Sequence, residues 1–201
     1  MIHNNYWDER YWQQKSWKYG ELLLIWQDTA GDAGLWQLFL PGCGPKNLPS
    51  EQQFNPLTCS DKLHWKETAV DELLNRDSIL KLPAAKKDIF CSWQRFTTFE
   101  TDILARLGQV PAGKVISYGA LANWAGYPRA ARAVGRLMTK NPFPLFYPCH
   151  RVIQADGRLG NFGGGTELKR QLLKTEGVLF SPAEKVSPSS RLKKSLKLPS
   201  L

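Results

Sequence analysis

Pro148-Cys149-His150-Arg151-Val152 is the stretch of this chain with the clearest capacity for chemistry. A thiol, an imidazole and a guanidinium stand side by side, between a Pro-rich approach (Asn141-Pro142-Phe143-Pro144) and a Gly-rich exit from Gly160 to Gly165. The thiolate is the reactive form of cysteine, and a neighbouring base or cation raises its share. The trio therefore reads as an activated nucleophile. The competing reading is an inert thiol that packs as a small buried hydrophobe. A second anomaly lies downstream. Glu176 falls in the final turn of a helix expected over 166–176, where a carboxylate opposes the helix dipole. A residue that breaks a local rule is a candidate for function; the alternative is an exposed side chain screened by solvent.

The elements that must position these groups are short helices. Thr97 or Thr98 can cap a helix whose face is Phe99, Ile103, Leu104 and Leu107 and which ends at Gly108. Ser117 can cap a second, Tyr118 to Ala125, closed by Gly126. Pro128 then opens a third at a position where its missing N–H costs nothing. The pair separated by Gly-Tyr-Pro is a helix-turn-helix candidate. At about 100° per residue, Arg129, Arg132, Arg136 and Lys140 fall within about 80° of one another on the third helix. Small residues (Ala131, Ala133, Gly135) flank this cationic stripe and would let the backbone approach a surface. The last helix points Leu168, Leu172 and Leu173 inward and stops at Gly177.

The first half carries no comparable chemistry. Glu21–Trp26 and Leu35–Leu40 read as a strand pair joined by a long turn-rich loop. Residues 1–20 show no clear period, 41–60 read as irregular, and an amphipathic helix is expected over 66–80. Leu82-Pro-Ala-Ala-Lys-Lys87 reads as the linker. Charge divides along the same line. Residues 1–91 hold ten Lys/Arg against twelve Asp/Glu, 92–180 hold twelve against five, and 181–201 hold five against one, for a net +9. A basic half suggests a polyanionic partner, nucleic acid first. The 201 residues can bury a real core, and 42% hydrophobic content excludes wholesale disorder. No apolar run is long enough to span a bilayer, and no apolar signal region opens the chain, so a soluble cytoplasmic protein with reduced thiols is expected. Cys43, Cys59, His64 and Cys91 lack the paired spacing of a zinc site. Residues 181–201, with Ser-Pro pairs and clustered Lys, read as a disordered basic tail.

Over about 80 residues the second half resembles the C-terminal domain of the O6-alkylguanine-DNA alkyltransferase family. The matching runs are Gly113–Ala122, Ala130–Gly135, Asn141–Pro144, Pro148–Val152, Gly160–Gly164 and Leu172–Gly177, in the family's order. The resemblance implies an α+β protein in three parts. Residues 1–90 would be an α/β domain, ribonuclease-H-like by position. Residues 91–180 would be a mainly helical DNA-binding and alkyl-acceptor domain of helix-turn-helix or winged-helix character, and 181–201 the tail.

The resemblance also implies roles. Cys149 would accept the alkyl group, His150 would take the thiol proton through a water, and Glu176 would orient His150. Asn141 would brace the Cys loop and Tyr118 would donate to the departing guanine. Arg132 would replace the flipped nucleotide in the duplex, with Arg129, Arg136, Ala130, Ala131, Ala133 and Gly135 also on the DNA. Met138, Val152, Phe162 and Gly163 would line the base pocket; Gly163 stands where some members have Ser. The partner implied is duplex DNA carrying O6-alkylguanine, met by a monomer with no cofactor, no metal, no membrane and no obligate protein partner. Relatives that bind damage without repairing it carry Trp at the acceptor position, and Cys149 is present here. The alternative is a non-catalytic damage-sensing or regulatory helix-turn-helix protein. A Cys-His hydrolase lacks an arguable oxyanion hole.

Overall fold

The computed structural model describes residues 10–28, 33–45, 61–75, 79–81, 91 and 95–192. It is a mixed helix and sheet protein whose chain divides into two compact units, 1–97 with 142–146, and 98–141 with 147–201. The expected linker at 82–87, most of the irregular 41–60 stretch, Cys59 and the end of the tail from 193 lie outside the described residues.

The first unit is built on an antiparallel sheet, β1 (Arg10–Trp17), β2 (Gly20–Asp28) and β3 (Ala33–Phe39), in that order. The expected strand pair is β2–β3, in register from Leu23↔Phe39 to Asp28↔Ala33 with a bulge at Ile25/Trp26. Leu22, Leu24, Ile25 and Trp26 are fully buried, as a central strand covered on both faces requires. β1 was not expected from the sequence. The helix expected over 66–80 runs instead as α1 (Asp61–Asn75), and a 3-10 turn follows at Ile79–Lys81. α1 packs on β1 and β3, burying Val70 and Leu74, and Asp71 pairs with Lys15. Pro142–Phe146 belongs to this unit: the Leu38 N–H donates to the Pro142 carbonyl (2.7 Å), and Phe143, Leu145 and Phe146 are fully buried.

The second unit carries α2 (Thr98–Gly108), α3 (Tyr118–Trp124), α4 (Ala131–Thr139) and α5 (Gly165–Thr175). Two short strands, β4 (Ile116–Ser117) and β5 (Val152–Ile153), pair in parallel. α2 buries the expected Ile103, Leu104 and Leu107. Ser117 caps α3, accepting from the Ala120 N–H at 3.2 Å. α4 starts three residues later than expected: Pro128 and Arg129 form a turn before it, with Arg129 at φ +70°.

The expectation of disorder from residue 181 needs correction over 181–192. Val115 donates to the Ser190 carbonyl (2.9 Å) and accepts from Leu192 (2.7 Å), so the strap extends the β4 edge. Arg191 reaches the carbonyls of Val186 (3.0 Å) and Ala155 (3.2 Å), and Val186 is buried with Val115, Ile153, Leu159, Leu173 and Val178. Composition misleads here because a buried Val, a buried Ser190, Arg191 and a few backbone bonds fix a segment that is otherwise polar. Ending the chain at Val178 is expected to lower stability by about 3–5 kcal/mol, from one buried Val and the lost backbone bonds. Urea unfolding of the truncated protein checks this; an unchanged midpoint would remove the strap from the fold.

Candidate functional site

Cys149 opens a 3-10 turn, Cys149–Arg151, that feeds β5, while β4 runs directly into Tyr118 at the start of α3. Because β4 and β5 pair in parallel over two residues, the acceptor turn leads into one end of this short ladder, at Val152, and Tyr118 leaves from the other, after Ser117. The turn is held by its own backbone: Cys149 N–H donates to Tyr147 O (2.7 Å) and Arg151 N–H to Pro148 O (2.8 Å). Asn141 Nδ2 donates to Tyr147 O at 2.7 Å, closing the loop just before the thiol.

Cys149 is buried, with 6% of its surface exposed. Burial pushes the thiol pKa up; a hydrogen bond from Asn141, the charge of Lys169 and local backbone N–H groups pull against it. His150 is fully buried, and burial holds its pKa below the ordinary value against the pull of Glu176. At neutral pH the pair is thus a protonated thiol beside a neutral imidazole. His150 Nε2 lies 2.9 Å from Glu176 Oε1, while Nδ1 has no partner among the described residues. Glu176 is the C-terminal cap of α5. Burial alone would raise its pKa, but His150 and Arg151 outweigh that and hold the carboxyl at about 2.

Two residues to which the resemblance gave no role complete the site. Arg151, expected to help activate the thiol two residues before it, spends its guanidinium elsewhere: Nε reaches Glu176 Oε2 (3.0 Å), Nη2 reaches Oε1 (2.7 Å) and Nη1 reaches the Val110 carbonyl (2.6 Å). Lys169 of α5 is the cation that acts on Cys149. It is fully buried, donates to Val152 O and Leu159 O (2.7 Å each), and is held down to about 8 by burial despite the opposing thiolate charge.

The remaining expected residues sit around this centre. Tyr118 is half-buried; desolvation and then the Cys149 charge raise its pKa, so it remains a hydroxyl donor. A Cβ at Gly160 (φ +71°) would lie 3.2 Å from the Tyr118 hydroxyl, so this position requires glycine twice over. Gly113 (φ +78°) is equally restricted, because a Cβ there would stand 2.8 Å from the Glu176 carbonyl. Phe162 meets His150 edge-on (6.4 Å between centroids) and lies under Lys169. A Cβ at Gly163 would meet nothing within 4 Å. Met138 is buried on α4, and the Val152 carbonyl accepts from Lys169.

The expected four-residue cationic stripe is reduced on α4 itself to Arg132 and Arg136, since Arg129 and Lys140 flank the helix. All four are exposed, and none makes an ion pair among the described residues. Val134, Leu137 and Met138 bury the opposite face, while Ala130, Ala131, Ala133 and Gly135 are half-buried. The first turn of α4 holds no acid.

Residues 98–178 match the family described as 6-O-methylguanine DNA methyltransferase, DNA binding domain. A methylated-DNA–protein-cysteine methyltransferase of Rattus norvegicus is 36% identical over 151 residues, 70% of each chain. The chain belongs to the methylated-DNA–protein-cysteine methyltransferase family. The methyltransferase of Homo sapiens is 48% identical over 81 residues, 40% of this chain and 39% of that one. The likeness extends to a solved methyltransferase, Mycobacterium tuberculosis OGT in complex with DNA: 31% identity, a TM-score of 0.62, and coverage of 83% of this chain and 92% of that one. Because that alignment exceeds the matched DNA-binding domain, methyltransferase likeness reaches into the first unit as well.

Proposed function

We propose that this protein repairs DNA by direct reversal, performing the reaction for which its family is named: it moves an alkyl group from O6 of guanine in duplex DNA to Cys149. The observation that carries the reading is the orientation of His150. One ring nitrogen is tied to an ionised Glu176, and the other has no partner among the described residues, in a ring directly after a buried, protonated thiol. The bond formed is S–C and the bond broken is C–O6. The thiol proton passes through a bridging water to His150, and the departing guanine is stabilised by Tyr118. Glu176 holds the imidazole and stabilises its cationic form. The thioether does not reopen, so each molecule reacts once.

The alkylated base inside a duplex is out of reach of a buried thiol and must be extruded. Exposed Arg132 and Arg136, with Arg129 and Lys140 at the helix ends, support α4 as the duplex-facing element, with Arg132 entering the gap. Contacts of this kind to phosphate position the protein without reading sequence. The base would rest against Met138, Val152, Phe162 and Gly163. The α3–α4 pair with its adjoining short strands supports a helix-turn-helix of winged character, and the β1–β3 meander with α1 supports a ribonuclease-H-like first domain. We assign the protein as an intracellular monomer that needs no cofactor; among the described residues no helix is long and apolar enough to cross a membrane.

The test is intact-mass spectrometry after incubation with a duplex containing O6-methylguanine, followed by peptide mapping. A gain of one methyl on Cys149, saturating at one per chain, is expected; tight binding with no mass change overturns the reading.

Lys169 gives a pH prediction. A cation beside Cys149 that shifts the thiol by one pKa unit changes the thiolate share about tenfold. Lys169→Met is therefore expected to react about tenfold more slowly at pH 7. Lys169 loses its own charge above about 8, so the gap to the wild type should close by pH 9. Rates of transfer from a free O6-alkylguanine base, taken across that range, check both points.

A further inference from the structure

We propose that Tyr127 is a positioning residue for DNA engagement: through its hydroxyl it ties the turn before α4 to Asp102 of α2 and so sets where α4 meets the duplex. The inference rests on the assignment of α4 to DNA made above.

Four observations meet at this one side chain. Its hydroxyl donates to Asp102 Oδ2 at 2.6 Å, and its ring stands edge-on against Phe99 of the same helix (4.9 Å, 78°). Its backbone N–H donates to Ala122 O (2.9 Å), closing the end of α3. Its carbonyl accepts from Ala130 N–H (3.2 Å), opening α4. Tyr127 is thus joined to all three helices of the unit's first half. On α2, Phe99, Asp102 and Arg106 recur at helical spacing and form one face. Arg106 sits over Trp124 of α3 at 5.7 Å, so the same face grips both α3 and the turn.

The turn itself needs such a grip. Tyr127 to Ala130 is a hydrogen-bonded turn with Pro128 at its first central position and Arg129 at φ +70° at its second. That is the type II pattern, which favours Gly at the second central position. Arg129 therefore holds a costly conformation, and such strain persists only where surrounding contacts over-determine it. The Tyr127–Asp102 bond and the Phe99 contact are those contacts. They fix the path by which Arg129 and, three residues on, Arg132 are presented. Relaxation of the turn would leave the Cys149 centre intact, because among the described residues no hydrogen bond or ring contact joins Tyr127 or Asp102 to that centre.

The test compares full-length wild type, Tyr127→Phe and Asp102→Asn in three measurements: fluorescence-anisotropy binding to an undamaged duplex, alkyl transfer from an O6-methylguanine duplex across DNA concentration, and alkyl transfer from a free O6-alkylguanine base. For Tyr127→Phe, duplex affinity should fall roughly three- to tenfold, since a charge-assisted bond is lost at a half-buried site. Half-maximal transfer from the duplex should need correspondingly more DNA, with the saturating rate and the free-base rate unchanged. Asp102→Asn keeps an acceptor oxygen and should retain most of the affinity. Equal affinity of Tyr127→Phe and wild type overturns the inference. So does a parallel fall in free-base and duplex rates, which would mark Tyr127 as only structural. A wild type that binds the duplex but transfers from neither donor defeats the repair reading, while the affinity difference still decides the role of Tyr127.

Discussion

Cys149→Ser will transfer no alkyl group, from duplex or from free base, and will still bind DNA. The chemistry is a displacement at an alkyl carbon, and it needs a nucleophile that is strong once its proton is gone. A buried serine beside a neutral imidazole does not meet that need, because His150 is already a weakened base through desolvation. The thiol is within range: burial raises its pKa, but Asn141, Lys169 and the turn's N–H groups partly restore it. Serine keeps the volume nearly unchanged and leaves α4 untouched, so duplex affinity should match wild type within about twofold. A hydroxyl placed in the buried site finds Asn141 as a partner, which limits the stability loss to about 1 kcal/mol. Intact mass and anisotropy on the same preparation check the two halves of this outcome. Residual stoichiometric methylation of the Ser protein would move the acceptor away from position 149.

The acceptor unit is legible in the sequence because its signals are local. Ser117, Gly108 and Gly177 mark helix ends by capping chemistry that does not depend on what packs nearby. Glu176 announces itself as an anomaly against the helix dipole. What offsets that anomaly is hidden: Arg151 follows a Cys-His pair in an irregular turn, where no periodicity assigns it an inward direction. Lys169 is a different case. It stands three and four residues before Leu172 and Leu173, hence on the buried face of α5, and that spacing could have revealed it. A lysine is read as solvent-facing by default, and only the two carbonyls aimed at it overturn the default. The first unit is less legible. β1 is a half-exposed edge strand with polar and aromatic residues mixed, so no two-residue alternation survives. Its connection to β2, Lys18-Tyr19, has none of the Gly or Asn that mark a hairpin.

Arg151→Met is expected to be the most destabilising single change at the site, at about 3–5 kcal/mol, because it strands a carboxylate in the interior. The Glu176 side chain is 3% exposed and retains only a neutral His150 when the guanidinium is removed. The pH dependence gives the sign. In the wild type the folded-state pKa of Glu176 is depressed, from an ordinary 4.5 to about 2. Its contribution, about 3 kcal/mol, is therefore complete above pH 4.5 and is lost as pH falls toward 2. Without Arg151 the pull against burial is reduced to that of His150, and the folded-state pKa moves up. The acid slope should flatten, and the variant should lose stability, relative to wild type, as pH rises through the carboxylate range. Adding Glu176→Gln to Arg151→Met removes the stranded charge and should recover more than half of the loss. It should not recover alkyl transfer, because a neutral amide no longer stabilises the imidazolium that His150 becomes. Urea unfolding at pH 3 to 7, paired with transfer rates for wild type, both singles and the double variant, separates the two roles of Glu176. A single variant that loses less than about 1 kcal/mol, or a double no more stable than the single, would show that the pair is not the support of this site.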